Sequence, residues 1–134
     1  RKSKNRGFDS VILYESDHSA AFMSVEIPEH ESAHVLVVPK NRYMHLHNIP
    51  QEVIADLGTA IARIGRALTR KYGGYNVLLN NGDDAGQYVY HTHFHVIPRT
   101  KDDGIEIELW KQKTLTPEAF AQYNALFKQL IDEA

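Results

Sequence analysis

Residues 91–99 read HTHFHVIPR, and the histidine at every second position decides how this part of the chain folds. Such alternation is typical of a β-strand, because successive side chains of a strand point to opposite faces of the sheet. A strand over VYHTHFHVIP (89–98) places His91, His93 and His95 on one face. It turns the intervening side chains toward the core, namely Tyr90, Thr92, Phe94 and Val96. Burying three imidazoles among apolar groups would be costly, so the histidine face is expected to border solvent or a ligand cleft.

The rest of the sheet is predicted from short runs rich in β-branched and aromatic residues. These runs are VILYES (11–16), AAFMSVEI (20–27), AHVLVVPK (33–40) and YNVLLNN (75–81). The turn-prone pair Ser16-Asp17 indicates a hairpin between the first two, and Pro39 closes the third.

Two segments change to the period of a helix. After Pro50, apolar residues recur at spacings of three and four up to the pair Gly73-Gly74, namely Val53, Leu57, Ile61, Ile64 and Leu68. A second helix is expected from Thr116, which can cap it, and Pro117, which suits its first position. One side of that helix carries Phe120, Tyr123, Phe127 and Leu130.

These elements predict an α+β fold with a mostly antiparallel sheet, one long helix and a C-terminal helix. We expect residues 1–10 to be a flexible lead-in and residues 11–134 to form one domain.

Composition limits the classes of function. A chain of 134 residues, 43% of them hydrophobic, suffices for one domain and therefore one principal site. The formal net charge of -2 favours a small ligand over nucleic acid, and the absence of cysteine excludes disulfides and thiolate zinc sites. No apolar run is long enough to span a membrane, and RKSKNRGFDS (1–10) lacks the apolar segment of a signal peptide. A cytoplasmic protein is expected.

Three hypotheses compete for the histidine face. The first is a solvated strand surface, which strict alternation of three imidazoles disfavours. The second is a metal site, for which His34 could supply another ligand, although no acid or water-orienting partner stands nearby in the sequence. The third is nucleophilic catalysis, in which one imidazole attacks an electrophile while its neighbours orient it. Phosphorus suits the third best, because a phosphoryl group on an imidazole nitrogen can be discharged by water.

The longer segment NNGDDAGQYVYHTHFHVIPR (80–99) resembles the signature of the histidine triad family of nucleotide hydrolases and transferases. The residues in register with that signature are Asn80, Gly82, Ala85, Gly86, Gln87, Val89, His91, His93, His95, Val96 and Ile97. ESAHVLVVPK (31–40) also resembles an earlier segment of the family, with His34 at its histidine. The resemblance thus extends from about Val11 to Arg99.

The resemblance implies a role for each matching residue. His93 corresponds to the nucleophile, which takes the α-phosphate of a nucleotide and becomes nucleotidyl-histidine. His91 and His95 correspond to the flanking members, which set the tautomer of the nucleophile and help to bind phosphate oxygens. The implied substrate contacts are Asn80 and Gln87 to phosphate, the loop backbone at Gly86, the bracing residue His34, the ribose-binding acid Glu26 and the base-contacting Ile27.

The resemblance also implies a function. We expect a nucleotide hydrolase that releases a nucleoside monophosphate, AMP above all, from a phosphoramidate or a dinucleoside polyphosphate. The alternative is a nucleotide-binding sensor or scaffold with little turnover. No cofactor or bound metal is expected, although a polyphosphate substrate would bring magnesium for its own charge.

Assembly and leaving-group chemistry complete the expectations. A homodimer is implied, formed through strand 75–81 and the helix before it. Many relatives carry Ser or Thr where this chain has Tyr88, which leaves the treatment of the leaving group open. We expect Asp83 and Asp84 to point away from the phosphate, and the second alternating pair, His45 and His47, to lie on the surface.

Overall fold

The structure, a computed structural model, describes residues 12–24 and 33–134. The lead-in predicted for residues 1–10 lies outside the described residues. The strands are β1 (Tyr14–Glu15), β2 (Ser19–Met23), β3 (Val35–Pro39), β4 (Gly74–Leu78) and β5 (Phe94–Arg99). The helices are α1 (Gln51–Leu68) and α2 (Pro117–Glu133). Short 3-10 turns span Leu46–Asn48 and Asp83–Ala85.

The five strands form one antiparallel sheet in the order β1-β2-β3-β5-β4, which confirms the predicted α+β fold. The predicted hairpin of β1 and β2 is present, and the Ser16 N–H donates to the Ser19 carbonyl across its turn. Since β4 pairs only with β5 among the described strands, it lies at one edge of the sheet and β1 at the other.

One face of the sheet packs on α1 to form the core. Ala21, Val37 and Phe94 lie opposite one another on successive strands and belong to this face. Val53 and Leu57 of α1 are buried against them, while the rest of the predicted stripe is partly buried, namely Ile61, Ile64 and Leu68. The stripe therefore predicted the buried side of α1 correctly.

The end of α1 differs from the prediction. The helix ends at Leu68, and the Tyr72 N–H returns to the Leu68 carbonyl in the turn that follows. Gly74 belongs to β4, where it pairs with Arg99. The glycine pair thus lies at the entry to the strand, because the chain has already reversed direction within residues 69–72.

The histidine strand is also shorter than predicted, since β5 begins only at Phe94. Both the backbone N–H and the hydroxyl of Thr92 donate to the Tyr43 carbonyl, at 2.7 and 2.8 Å. Thr92 and Val96 are buried, as predicted. The prediction for Tyr90 is wrong: its side chain is 48% exposed and its hydroxyl donates to Asp83.

A carboxylate joins the hairpin to α1. One oxygen of Asp56 accepts from the Ser16 hydroxyl at 2.5 Å, the Ser19 hydroxyl at 2.7 Å and the His18 N–H at 3.1 Å. The Ser16 bond is the main reason that the pKa of Asp56 lies below its ordinary value.

Helix α2 begins as predicted, with the Ala119 N–H donating to the Thr116 hydroxyl oxygen and Pro117 in the first turn. None of its residues is buried in the described part of the chain. Its large apolar side chains are exposed, namely Phe120, Tyr123, Leu126, Phe127, Leu130 and Ile131. Neither helix of the described chain is long and apolar enough to cross a membrane.

Candidate active site

A cavity of about 520 Å³ lies on the side of the sheet facing away from α1. Phe22, Leu36 and His95 lie opposite one another on β2, β3 and β5, so their side chains share this face. The residues that line the cavity are Phe22, Met23, Ser24, His34, Leu36, Asn80, Gly86, Tyr88, Val89, His93 and His95. Five of the site residues predicted from the sequence therefore meet here: His34, Asn80, Gly86, His93 and His95.

His93 is held in one tautomer. Its Nδ1 lies 2.8 Å from the backbone carbonyl oxygen of His91. A carbonyl oxygen can only accept a hydrogen bond, so Nδ1 must carry the proton. In the neutral ring, Nε2 then carries an unprotonated lone pair. The His93 side chain lines the cavity.

His95 lies beside His93 and contacts His34. The His93 and His95 rings meet edge to face with centroids 5.0 Å apart, and Nδ1 of His95 lies 3.3 Å from Nε2 of His34. Burial, followed by the neighbouring His93 and His34, lowers the pKa of His95 to about 4. His95 is therefore a neutral hydrogen-bonding group at neutral pH.

The His91 side chain points elsewhere. Its Nε2 lies 3.0 Å from the Pro39 carbonyl oxygen, to which it donates, and its ring is absent from the cavity lining. Burial lowers the pKa of His91 as well. The contribution of His91 to the site is its backbone carbonyl, which fixes the tautomer of His93.

Gln87 pins the loop between β4 and β5. The side chain is only 3% exposed, accepts from the Gly82 N–H at 2.8 Å, and donates to the Met44 and Val89 carbonyls at 2.7 and 3.2 Å. Gln87 does not line the cavity, so its geometry serves the loop rather than the predicted phosphate contact. Asn80 and Gly86 do line it.

The loop needs its glycines because Gly82 and Gly86 adopt φ values of 93° and 88°, which side chains with a Cβ rarely take. Asp83 and Asp84 between them are exposed, and neither lines the cavity of His93.

Other residues discussed from the sequence either fall outside the described residues or do not line the cavity. Glu26 and Ile27 fall outside the described residues. His45 and His47 stack with centroids 5.1 Å apart and do not line the cavity. Arg99 is fully engaged, since its guanidinium donates to Asp103, Asn76 and the Ile105 carbonyl. In the described ranges, no group of three or more His, Asp or Glu side chains is arranged to hold a metal ion.

The apolar wall of the cavity was missed from the sequence. Phe22 and Leu36 alternate with the core residues Ala21 and Val37, so the period of two along β2 and β3 carried that information.

Comparison with known proteins places this geometry in a family. The model of the HIT domain matches residues 5–102, which is most of the chain. The chain belongs to the histidine triad family. This histidine triad protein is 35% identical over 122 residues to an adenosine 5'-monophosphoramidase of Saccharomyces cerevisiae, covering 91% of this chain and 73% of the relative. It is 34% identical over 105 residues to an adenylylsulfatase of Arabidopsis thaliana, covering 77% of this chain and 50% of the relative.

Solved structures show the same fold. A histidine triad nucleotide-binding protein from Candida albicans superposes with a TM-score of 0.77 at 29% identity, covering 94% of this chain and 91% of that one.

Proposed function

We propose that this protein hydrolyses nucleoside phosphoramidates and related nucleotides, releasing a nucleoside monophosphate through a nucleotidyl intermediate on His93. The observation that carries the proposal is the 2.8 Å hydrogen bond from His93 Nδ1 to the His91 carbonyl, which leaves Nε2 as a free nucleophile in the cavity. AMP is the expected product, because relatives named for acting on AMP amides and on adenylyl sulfate share the family.

The first chemical step is attack of Nε2 on the α-phosphorus. A nitrogen–phosphorus bond forms at His93 while the bond from phosphorus to the leaving group breaks, and the leaving group departs with that electron pair and gains a proton. In the second step, water attacks the same phosphorus and releases a proton, which balances the one taken up by the leaving group; the bond to His93 breaks, its electron pair returns to Nε2, and the nucleoside monophosphate leaves.

The surrounding groups stabilise the charge that develops on the phosphate oxygens. His95 can donate from Nε2 when its Nδ1 accepts from His34 Nε2, an arrangement that the 3.3 Å contact allows. Asn80 lines the same cavity and its side-chain amide supplies a further donor, whereas the Gly86 N–H already donates to the Asp83 carbonyl.

The proposed chemistry needs no bound metal, because imidazole nitrogen itself attacks phosphorus. Chelation followed by dialysis is expected to leave hydrolysis of a nucleoside phosphoramidate intact. The test uses a phosphoramidate because a polyphosphate substrate brings magnesium for its own charge. Loss of activity with chelator and recovery with zinc would instead support a metal mechanism.

The deciding experiment traps the intermediate. Acid-free denaturation during turnover of an AMP phosphoramidate should leave AMP on the protein through a bond that is labile in acid and stable in base. Peptide mapping should place it on His93. His93→Ala should lose both the adduct and turnover, whereas the matched control His47→Ala, which changes an exposed histidine outside the cavity, should keep both.

Two outcomes would contradict the proposal. Turnover by His93→Ala would show that another group attacks phosphorus. Tight binding of AMP by the wild-type protein, with no product from any phosphoramidate or dinucleoside polyphosphate, would favour a nucleotide-binding sensor.

A further inference from the structure

We propose that Tyr88 selects the leaving group, by stacking its ring on a flat aromatic group carried by the amine or second nucleotide that departs. This inference rests on the proposed hydrolase function and specifies its substrate class. The preferred substrates are then nucleoside phosphoramidates with an aromatic amine side chain, rather than amides of ammonia or of small alkyl amines.

The loop fixes the position of Tyr88 from both sides. The side-chain amide of Gln87 donates to the Val89 carbonyl, so this hydrogen bond spans Tyr88. The other hydrogen bonds of Gln87 tie it to Gly82 and Met44. Tyr88 therefore projects from an anchored turn, which lowers the entropic cost of using its ring as a contact surface.

The Tyr88 side chain lies at the cavity, but it is hardly buried by the rest of the protein. Its residue is 89% exposed although it lines the same cavity as His93. Its hydroxyl makes no hydrogen bond within the described chain, in contrast to Tyr90, whose hydroxyl donates to Asp83. An aromatic side chain this exposed contributes little to folding, and it gains most when a ligand covers it.

The two walls of the cavity suit the two halves of a substrate. Phe22 and Leu36 form a wall on paired strands, so their positions are fixed by the sheet and suit the constant nucleoside half. Tyr88 and Val89 form the wall on the loop, where both residues are largely exposed. An in-line displacement places the leaving group on the far side of phosphorus from the attacking nitrogen, and that group must afterwards escape to solvent. The exposed loop wall provides such an exit.

The experiment compares two AMP phosphoramidates of unbranched primary amines, one of 2-phenylethylamine and one of n-butylamine. The wild-type protein should prefer the phenylethyl amide in kcat/KM by about two- to tenfold, the range expected for one aromatic pair. The preference should appear in KM, because stacking acts on bound substrate and transition state alike. Tyr88→Ala should bring the ratio close to one, while Tyr88→Phe should keep it.

Tyr90→Ala is the matched control, since it removes a neighbouring aromatic ring that does not line the cavity. It should retain the preference of the wild-type protein. If Tyr88→Ala retains the preference as well, or if Tyr88→Phe loses it, stacking is overturned; the second result would assign the preference to the hydroxyl instead of the ring.

Binding in the His93→Ala background separates this inference from the proposed function. Titration calorimetry with the same two amides should give tighter binding of the phenylethyl amide, and the difference should disappear when Tyr88→Ala is added. If this holds while the wild-type protein cleaves neither amide, the hydrolase function fails and the selection by Tyr88 stands. Equal affinities for the two amides in the His93→Ala background would overturn the selection.

Discussion

The three histidines of residues 91–95 occupy three different environments, although only two positions separate each from the next. His91 donates to the Pro39 carbonyl, His93 donates to the carbonyl of His91, and His95 meets His34. Two of these partners are backbone carbonyls and the third is another imidazole, and only His93 and His95 line the cavity. A fixed tautomer at His93 beside a neutral His95 is the arrangement that attack on a phosphate requires.

The lowered pKa of His95 makes stability depend on pH. Its pKa falls from 6.5 to about 4 on folding, so the unfolded chain binds the proton more readily between these values. The contribution of His95 to the free energy of unfolding is therefore fully present above pH 6.5 and declines as the pH falls toward 4. The loss is at most about 3 kcal/mol, and less because the ring keeps some contact with solvent.

Urea unfolding at pH 7 and pH 4.5 should show this decline in the wild-type protein. His95→Gln, which cannot titrate, should lose less stability between the two pH values. His47→Gln, a change at an exposed histidine, should behave as the wild type does. An equal decline in His95→Gln would show that other groups, such as His91, account for it.

For single residues, the sequence correctly predicted those side-chain orientations that depend only on neighbouring residues. The alternation correctly predicted that Phe94 and Val96 face the core and that His95 faces away from it, because strand geometry is local. It failed for Tyr90 and for the His91 ring. The reason is a contact between distant residues. The carbonyl of Tyr43, 49 positions away, accepts from Thr92, and regular strand pairing begins only after Thr92, at Phe94.

The hairpin and α1 depend on one another through Asp56, although they are far apart in the chain. The Ser19 hydroxyl that donates to this carboxylate is fully buried. Asp56→Ala leaves that hydroxyl without its acceptor and should cost about 1–3 kcal/mol in the free energy of unfolding. Thr59→Ala, on the exposed face of the same helix, should change it by less than about 0.5 kcal/mol. Urea titrations of both variants measure the difference, and similar values would contradict the assigned role of Asp56.

Gly65 allows β4 to approach α1 closely. A Cβ at this buried position would overlap the ring and hydroxyl of Tyr75. Alanine would nevertheless suit the helix better than glycine by about 1 kcal/mol. Gly65→Ala should therefore gain little or lose stability in the wild-type protein, because the Tyr75 ring must move.

In a Tyr75→Ala background, Gly65→Ala should stabilise the protein by about 0.8–1.0 kcal/mol, since only the helix propensity then counts. A double-mutant cycle by urea unfolding measures the coupling. Additive effects of the two substitutions would mean that the contact carries no strain.

Helices and strands were predicted best where a single face of regularly spaced apolar residues packs on the core. The stripe of α1 showed which side is buried, and Thr116 with Pro117 showed where α2 begins. The end of α1 was not predicted, because it depends on where Gly74 pairs with Arg99. What covers α2 was not predicted. Its apolar side carries Phe120, Tyr123, Phe127 and Leu130, and all four are exposed in the described chain.

At the scale of the whole molecule, the edge strand β4 and the exposed side of α2 both favour assembly. Tyr75 and Val77 are exposed on β4, whose outer edge has no strand partner among the described residues. An unpaired edge with exposed apolar side chains invites association with another chain. We therefore propose a homodimer joined through β4.

Val77→Lys should shift this dimer toward monomer in sedimentation equilibrium at micromolar concentration, because it places a charge on the proposed contact. Asp17→Lys is the control, since it lies in the turn of the hairpin at the other side of the sheet. A wild-type protein that sediments only as a monomer would contradict the proposed assembly.

The contact between His34 and His95 joins residues 61 positions apart in the chain. Closing so long a segment is slow compared with forming a helix or a hairpin, since the entropy of closure is lost before the contact is gained. During refolding, α1 and the hairpin of β1 and β2 can form while the two histidines are still separate. The return of catalytic activity should therefore lag behind the return of helical circular dichroism. The delay measures how much later the contact between His34 and His95 forms.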